Sequence, residues 1–211
     1  MKKQLLNGAF AAIIGTTAAL PAMAYQAGDM VLRGGLAGVL PTGDGLHPAG
    51  LKTEADDGYS LGITFTYMAT NNIGVGILGA WPFKHDIDVA TLGTVAEIEH
   101  LPPTVTLQYH FDTASKLHPY VGAGINYTTF LDEDTKGALT GASLDLDDSW
   151  GVALEAGFDY ELQNDWSVGA AVWWIDIDTD ATVSGAGAPF DASYEVEIDP
   201  WVFMLSVGKK F

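Results

Sequence analysis

Apolar and polar residues alternate with a period of two in eight separate stretches of the chain, as in strands whose two faces meet different media. The clearest stretch runs from Tyr59 through Leu61, Ile63, Phe65 and Tyr67 to Ala69, with Ser60, Gly62, Thr64, Thr66 and Met68 between them. A second sets Leu101, Pro103, Val105, Leu107, Tyr109 and Phe111 against His100, Thr104, Thr106, Gln108 and His110. A third sets Trp150, Val152, Leu154, Ala156, Phe158 and Tyr160 against Gly151, Ala153, Glu155, Gly157 and Asp159. Weaker copies lie near 29–40, 72–84, 119–131, 166–179 and 194–211, and the copy near 166–179 changes parity around Trp173-Trp174-Ile175.

Turned inward, so many large aromatic residues would overfill a small barrel; turned outward, they make a lipid-facing band. The pattern therefore predicts an all-β fold, an eight-stranded antiparallel transmembrane β-barrel with short periplasmic turns and longer extracellular loops. Compact links at Asn71-Asn72, Asp112 to His118 and Gln163 to Asp165 alternate with longer ones near 41–57, 85–96, 132–149 and 180–193. Both termini then lie on the periplasmic side. Tyr67, Tyr109, Phe111, Tyr120, Phe158, Tyr160, Trp166 and Phe211 are expected in a lower aromatic girdle, and Tyr59, Trp81, Phe83, Phe130, Trp150 and Tyr194 in an upper one.

The chain ends support export. Lys2 and Lys3 precede an uncharged apolar run from Leu5 to Leu20 and a small-x-small site at Ala22-Met23-Ala24, so residues 1–24 are expected to be a signal peptide and residues 25–211 the barrel. No later apolar run is long enough for a membrane helix, and in lipid that leaves only a closed barrel. The last strand ends on Phe211, an aromatic terminus expected at the close of an outer-membrane barrel. The absence of cysteine excludes thiol chemistry. The formal charge of −18 becomes −20 once the two leader lysines are removed, which excludes nucleic acid as a natural partner.

Candidate chemistry is sparse. His100 and His110 share one face of a strand, but ten residues separate them by about 33 Å, too far for a shared metal. His85 stands beside Asp86 and Asp88 without an identifiable nucleophile or further ligand. Asp176, Asp178 and Asp180 begin like a calcium loop, yet Ala181 stands where glycine is needed and Gly187 where glutamate is needed. No catalytic residue, metal site or cofactor is expected. The inward parity is more informative. It carries polar Arg33, Glu155 and Asp159, with Arg33 within reach of pairing with either carboxylate, alongside large apolar Leu78, Trp173 and Met68. Those three read either as a greasy binding wall or as simple filling of a narrow interior. Pro82 and the pair Pro102-Pro103 stand in the upper parts of neighbouring strands three and four, where proline removes ladder donors. They read either as a rim bulge or as a lateral gap.

His100-Leu-Pro-Pro-Thr104, continuing to Gln108-Tyr-His-Phe111, resembles the OmpW family of outer-membrane proteins, which includes the AlkL proteins. So do Phe65-Thr-Tyr-Met-Ala-Thr70, Pro119 to Phe130, Trp174-Ile-Asp-Ile-Asp-Thr179 and Asp199-Pro-Trp-Val-Phe203, in the family's order over nearly the whole mature chain. The resemblance implies an eight-stranded barrel with a narrow, partly hydrophobic lumen; the residues themselves argue against a barrel enzyme acting on lipid, since no Ser/His pair is identifiable. It implies passage of small apolar solutes or, alternatively, a closed structural or surface-receptor barrel for bacteriocin or phage. The partners it implies are outer-membrane lipids and lipopolysaccharide, a small apolar solute, and the assembly machinery that reads the strand ending at Phe211. The acidic outer loops depart most from the family pattern.

Overall fold

A computed structural model describes residues 25–43, 45–46, 52–90, 92–185 and 192–211; the expected leader at 1–24 lies outside the described residues. Among the described residues fifteen strands follow one another: β1 (Met30–Leu40), β2 (Gly45–Leu46), β3 (Lys52–Ala55), β4 (Gly58–Met68), β5 (Ile73–Ala80), β6 (Phe83–Val89), β7 (Gly93–Leu101), β8 (Thr104–His110), β9 (Leu117–Thr135), β10 (Ser143–Leu146), β11 (Ser149–Glu161), β12 (Trp166–Ile175), β13 (Asp178–Ser184), β14 (Ala192–Glu197) and β15 (Trp201–Lys210). They form eight staves, because β1 continues into β2, β3 into β4, β5 into β6, β7 into β8, β10 into β11, β12 into β13 and β14 into β15, while β9 is one long strand. All neighbours are antiparallel, and β1 pairs with both β4 and β15, so the barrel has no free edge. In lipid this closure gives backbone N–H and C=O groups their partners.

Alternation places the side chains. Along β4 every second residue is buried or half-buried while Tyr59, Leu61, Ile63, Phe65 and Tyr67 are exposed, and β11 and β15 repeat the pattern. The exposed apolar set forms the band that meets lipid. Tyr67, Tyr109, Phe111, Phe158, Tyr160, Trp166 and Phe211 border it below, and Tyr59, Trp81 and Trp150 above. Four expected girdle residues are elsewhere, Tyr194 among the outer hairpins and three on the inner face. Tyr120 and Phe83 are buried in the lumen, and Phe130 packs against its apolar cluster, because each follows the inward parity of its strand. The expected parity change near Trp173 does not occur. Trp173, Ile175, Ile177 and Thr179 are all buried, so the inward register runs unbroken from β12 into β13.

The prolines interrupt one seam. Between staves three and four, the β5–β8 ladder ends at Leu78↔Thr104 and the β6–β7 ladder begins at Phe83↔His100. Residues 79–82 and 101–103 have no partner across that seam, where Pro82, Pro102 and Pro103 supply no donor. Other groups take up two of the carbonyls: the Thr104 hydroxyl donates to Pro102 O at 3.1 Å, and Asn126 Nδ2 and Tyr127 N donate to Pro103 O. Above this level the outward side chains turn ionic. Lys84 pairs with Glu99, and Lys136 with Asp86 and Glu97, so these hairpins stand clear of the lipid band.

Candidate functional site

The lumen is stacked in three tiers. The lowest is polar. Arg33, from β1, donates through Nε to Asp159 Oδ1 at 2.9 Å and through Nη2 to Oδ2 at 2.5 Å, while Nη1 donates to Thr66 Oγ1 at 2.9 Å. The Tyr25 hydroxyl donates to the same Asp159 carboxylate at 2.7 Å. Thr66 donates to Gln108 Oε1, and Gln108 Nε2 and the Thr106 hydroxyl donate to Glu155 at 2.9 and 2.6 Å. Glu155 therefore does not bond Arg33, although sequence parity left that pairing open; its partners come from β8, which β9 separates from β11. Tyr120 stacks on His110, with the Arg33 guanidinium 5.5 Å from the Tyr120 ring centre. A bidentate ion pair with its remaining donors and acceptors matched is the arrangement that a buried charge requires. The hydrogen-bonded chain from Tyr25 through Asp159, Arg33, Thr66 and Gln108 to Glu155 ties β1, β4, β8 and β11 together across the lower lumen.

Above it lies the apolar tier. Leu78 and Trp173 share one cluster with Phe83, Ile175, Val202 and Met204. Met68 is also buried, but it packs with Tyr25 and Val31 at the bottom of the barrel and so is separate from the other two. The third tier is a cavity of about 80 Å³ among the outer hairpins, walled by Ile87, Ile98, Leu144, Leu146, Val196 and Ile198, with His85 and His100 on the same wall. Tyr194, expected in the upper girdle, also lines this cavity. A wider concavity of about 840 Å³ lies on the outer wall among Leu36, Tyr59, Leu61, Phe203 and Leu205. Those side chains are exposed and belong to the lipid-facing band, so this groove is not part of the lumen.

His85 and His100 lie above the lipid band, with ring centres 4.9 Å apart. His85 Nδ1 contacts the Asp56 carbonyl at 2.6 Å, while His85 Nε2 and both nitrogens of His100 have no partner. His100 thus leaves the proline carbonyls to Thr104, Asn126 and Tyr127. Burial pushes the His100 imidazole down to about 3, and the nearby His85 adds to the shift. Burial also lowers His85, against the opposing pull of the Asp56 carbonyl and the carboxylates of Asp56 and Asp57. The pair escaped sequence reading because His85 was weighed with its chain neighbours; the signal was the hairpin register, which sets Phe83 opposite His100. The participation of Tyr25 in the polar tier had no sequence signal. Asp176, Asp178 and Asp199 converge in the outer region, whereas the sequence had suggested Asp180 as the third carboxylate.

The comparisons with known proteins agree with this architecture. The OmpW family model matches residues 26–211. Outer membrane protein W of Escherichia coli is 47% identical over 200 residues, covering 90% of this chain and 92% of the relative. Outer membrane protein AlkL of Ectopseudomonas oleovorans is 34% identical over 180 residues, covering 82% and 74%. The crystal structure of the outer membrane protein OprG from Pseudomonas aeruginosa superposes with a TM-score of 0.81 at 41% identity, covering 90% of this chain and 98% of that one. With the closed eight-stave barrel, its lipid-facing band and a family match over nearly the whole described chain, this protein belongs to the OmpW family and is an outer-membrane β-barrel.

Proposed function

We propose that the barrel gives small apolar solutes a passive path across the lipopolysaccharide layer, entering through the outer hairpins and leaving sideways into the membrane. The observation that carries this reading is the order of the tiers: an apolar lumen around Leu78 and Trp173 rests on a polar floor built by Arg33, Asp159, Gln108 and Glu155. An apolar solute gains from the upper tier and would have to break a satisfied hydrogen-bond network to go further down. The interrupted ladder at Pro82 and Pro102-Pro103 supports a lateral exit, since fewer backbone bonds hold that part of the seam. The flow follows the solute's own gradient.

Cysteines introduced as Pro82→Cys and Pro102→Cys and joined by a short thiol cross-linker test the route. Uptake of an apolar solute by intact cells should fall when the seam is locked and recover when a cleavable linker is reduced. Unchanged uptake in the locked barrel would rule out the lateral exit. The acidic outer hairpins favour a second reading, a surface-receptor barrel with a closed interior. It requires that cells lacking the protein take up the solute as fast as cells containing it.

A further inference from the structure

We propose that His100 makes the upper cavity a binding site for a neutral apolar molecule bearing a hydroxyl group, an alcohol or a phenol; this deepens the conduit reading and rests on it. His100 is 1% exposed, lines the cavity and has no hydrogen-bond partner at either ring nitrogen. A neutral imidazole carries one N–H and one lone pair, so in either tautomer His100 has an unmet acceptor. The Asp56 carbonyl can only accept, so its contact with His85 Nδ1 places the proton there and leaves Nε2 as a second unmet acceptor. The Thr179 hydroxyl, which lines the cavity from β13, already donates to Asp147 O at 2.6 Å. His100 also keeps one unmet N–H, so what is missing is a group that both donates and accepts, as a hydroxyl does.

The other walls narrow the class. Ile87, Ile98, Leu144, Leu146 and Val196 suit a hydrocarbon body, and Ile198 belongs both to this cavity and to the apolar tier below, so a tail has continuous apolar surface to follow. A water can bond the imidazoles but leaves the apolar walls unmatched, whereas a hydroxyl on a hydrocarbon matches the imidazoles and the walls together. Glu197 on the lining and the strong negative charge of the chain work against an anionic head group. Among the described residues no third histidine or carboxylate joins the two imidazoles to make a cation cage.

The test compares 1-hexanol with hexane on the purified, folded barrel. In protein labelled with nitrogen-15 at histidine, hexanol should shift the His100 ring nitrogen resonances and hexane should leave them in place. In His100→Phe, checked for folding by heat-modifiable migration, the ratio of hexanol to hexane affinity should fall about fivefold, the loss of one hydrogen bond. Ring nitrogens unmoved by hexanol, as when water alone occupies them, or an affinity ratio unchanged by the substitution, would overturn the proposal. Binding to the isolated protein requires no transport, so its failure is distinguishable from failure of the conduit reading, which uptake in cells decides.

Discussion

At the scale of the residue, Asp159 is the point on which the polar floor depends. It takes hydrogen bonds from both Arg33 and Tyr25. Asp159→Ala removes one charge and leaves a buried guanidinium unpaired, a defect that costs about 3–5 kcal/mol. The urea midpoint of the barrel in lipid should fall accordingly, and single-channel conductance should rise as the floor loosens. The double variant Arg33→Met/Asp159→Leu removes both charges and should recover most of the stability. Equal loss in the single and double variants would mean that packing, and not charge pairing, holds this tier. Sequence parity was enough to put Arg33 and Asp159 on the inner face. It could not separate Glu155 from Asp159 as the partner of Arg33, because that choice depends on which wall each carboxylate meets across the lumen.

At the scale of the element, β15 closes the barrel. Phe211 N donates to Met30 O at 2.8 Å, Met30 N donates to Phe211 O, and the Phe211 ring is exposed in the lower girdle. Deleting Phe211 removes two backbone bonds at the closing seam along with the aromatic terminus proposed to be read during assembly. The amount of heat-modifiable barrel recovered from outer membranes should drop severalfold. Normal recovery would show that neither the closing bonds nor the terminus limits assembly. The staves themselves were largely legible in the sequence, since a period of two with lipid outside leaves little freedom in which face turns out. The interruptions were legible less evenly. Pro82, Pro102 and Pro103 announced theirs, whereas the break at Asp176–Ile177 keeps parity and left no mark in the alternation.

At the scale of the whole molecule, the outer tier extends the barrel beyond lipid and brings two neutral imidazoles into its interior. The folded His100 titrates near 3 against about 6.5 for an unfolded histidine, so the unfolded chain binds more protons between those values. This contribution to stability is fully present above pH 6.5 and is lost as the pH falls below it, by roughly 2 kcal/mol at pH 5. Thermal melting followed between pH 7 and pH 5 should show this slope, and His100→Phe should reduce it, the remainder including His85, which burial also lowers. A slope unchanged in the variant would assign the titration to other groups. By itself the sequence determined the barrel, its orientation, its lipid-facing band and its family resemblance, because a strand's alternation is local and the membrane imposes one outside on every stave. Only the tertiary structure decided which inward residues meet: Tyr25 with Asp159, Glu155 with Gln108, Leu78 with Trp173 but not Met68, and His85 with His100. The histidine pair is set by the register of one hairpin, but the other contacts join staves that are not neighbours, and they depend on the register and tilt of the whole barrel, which no single stretch of chain contains.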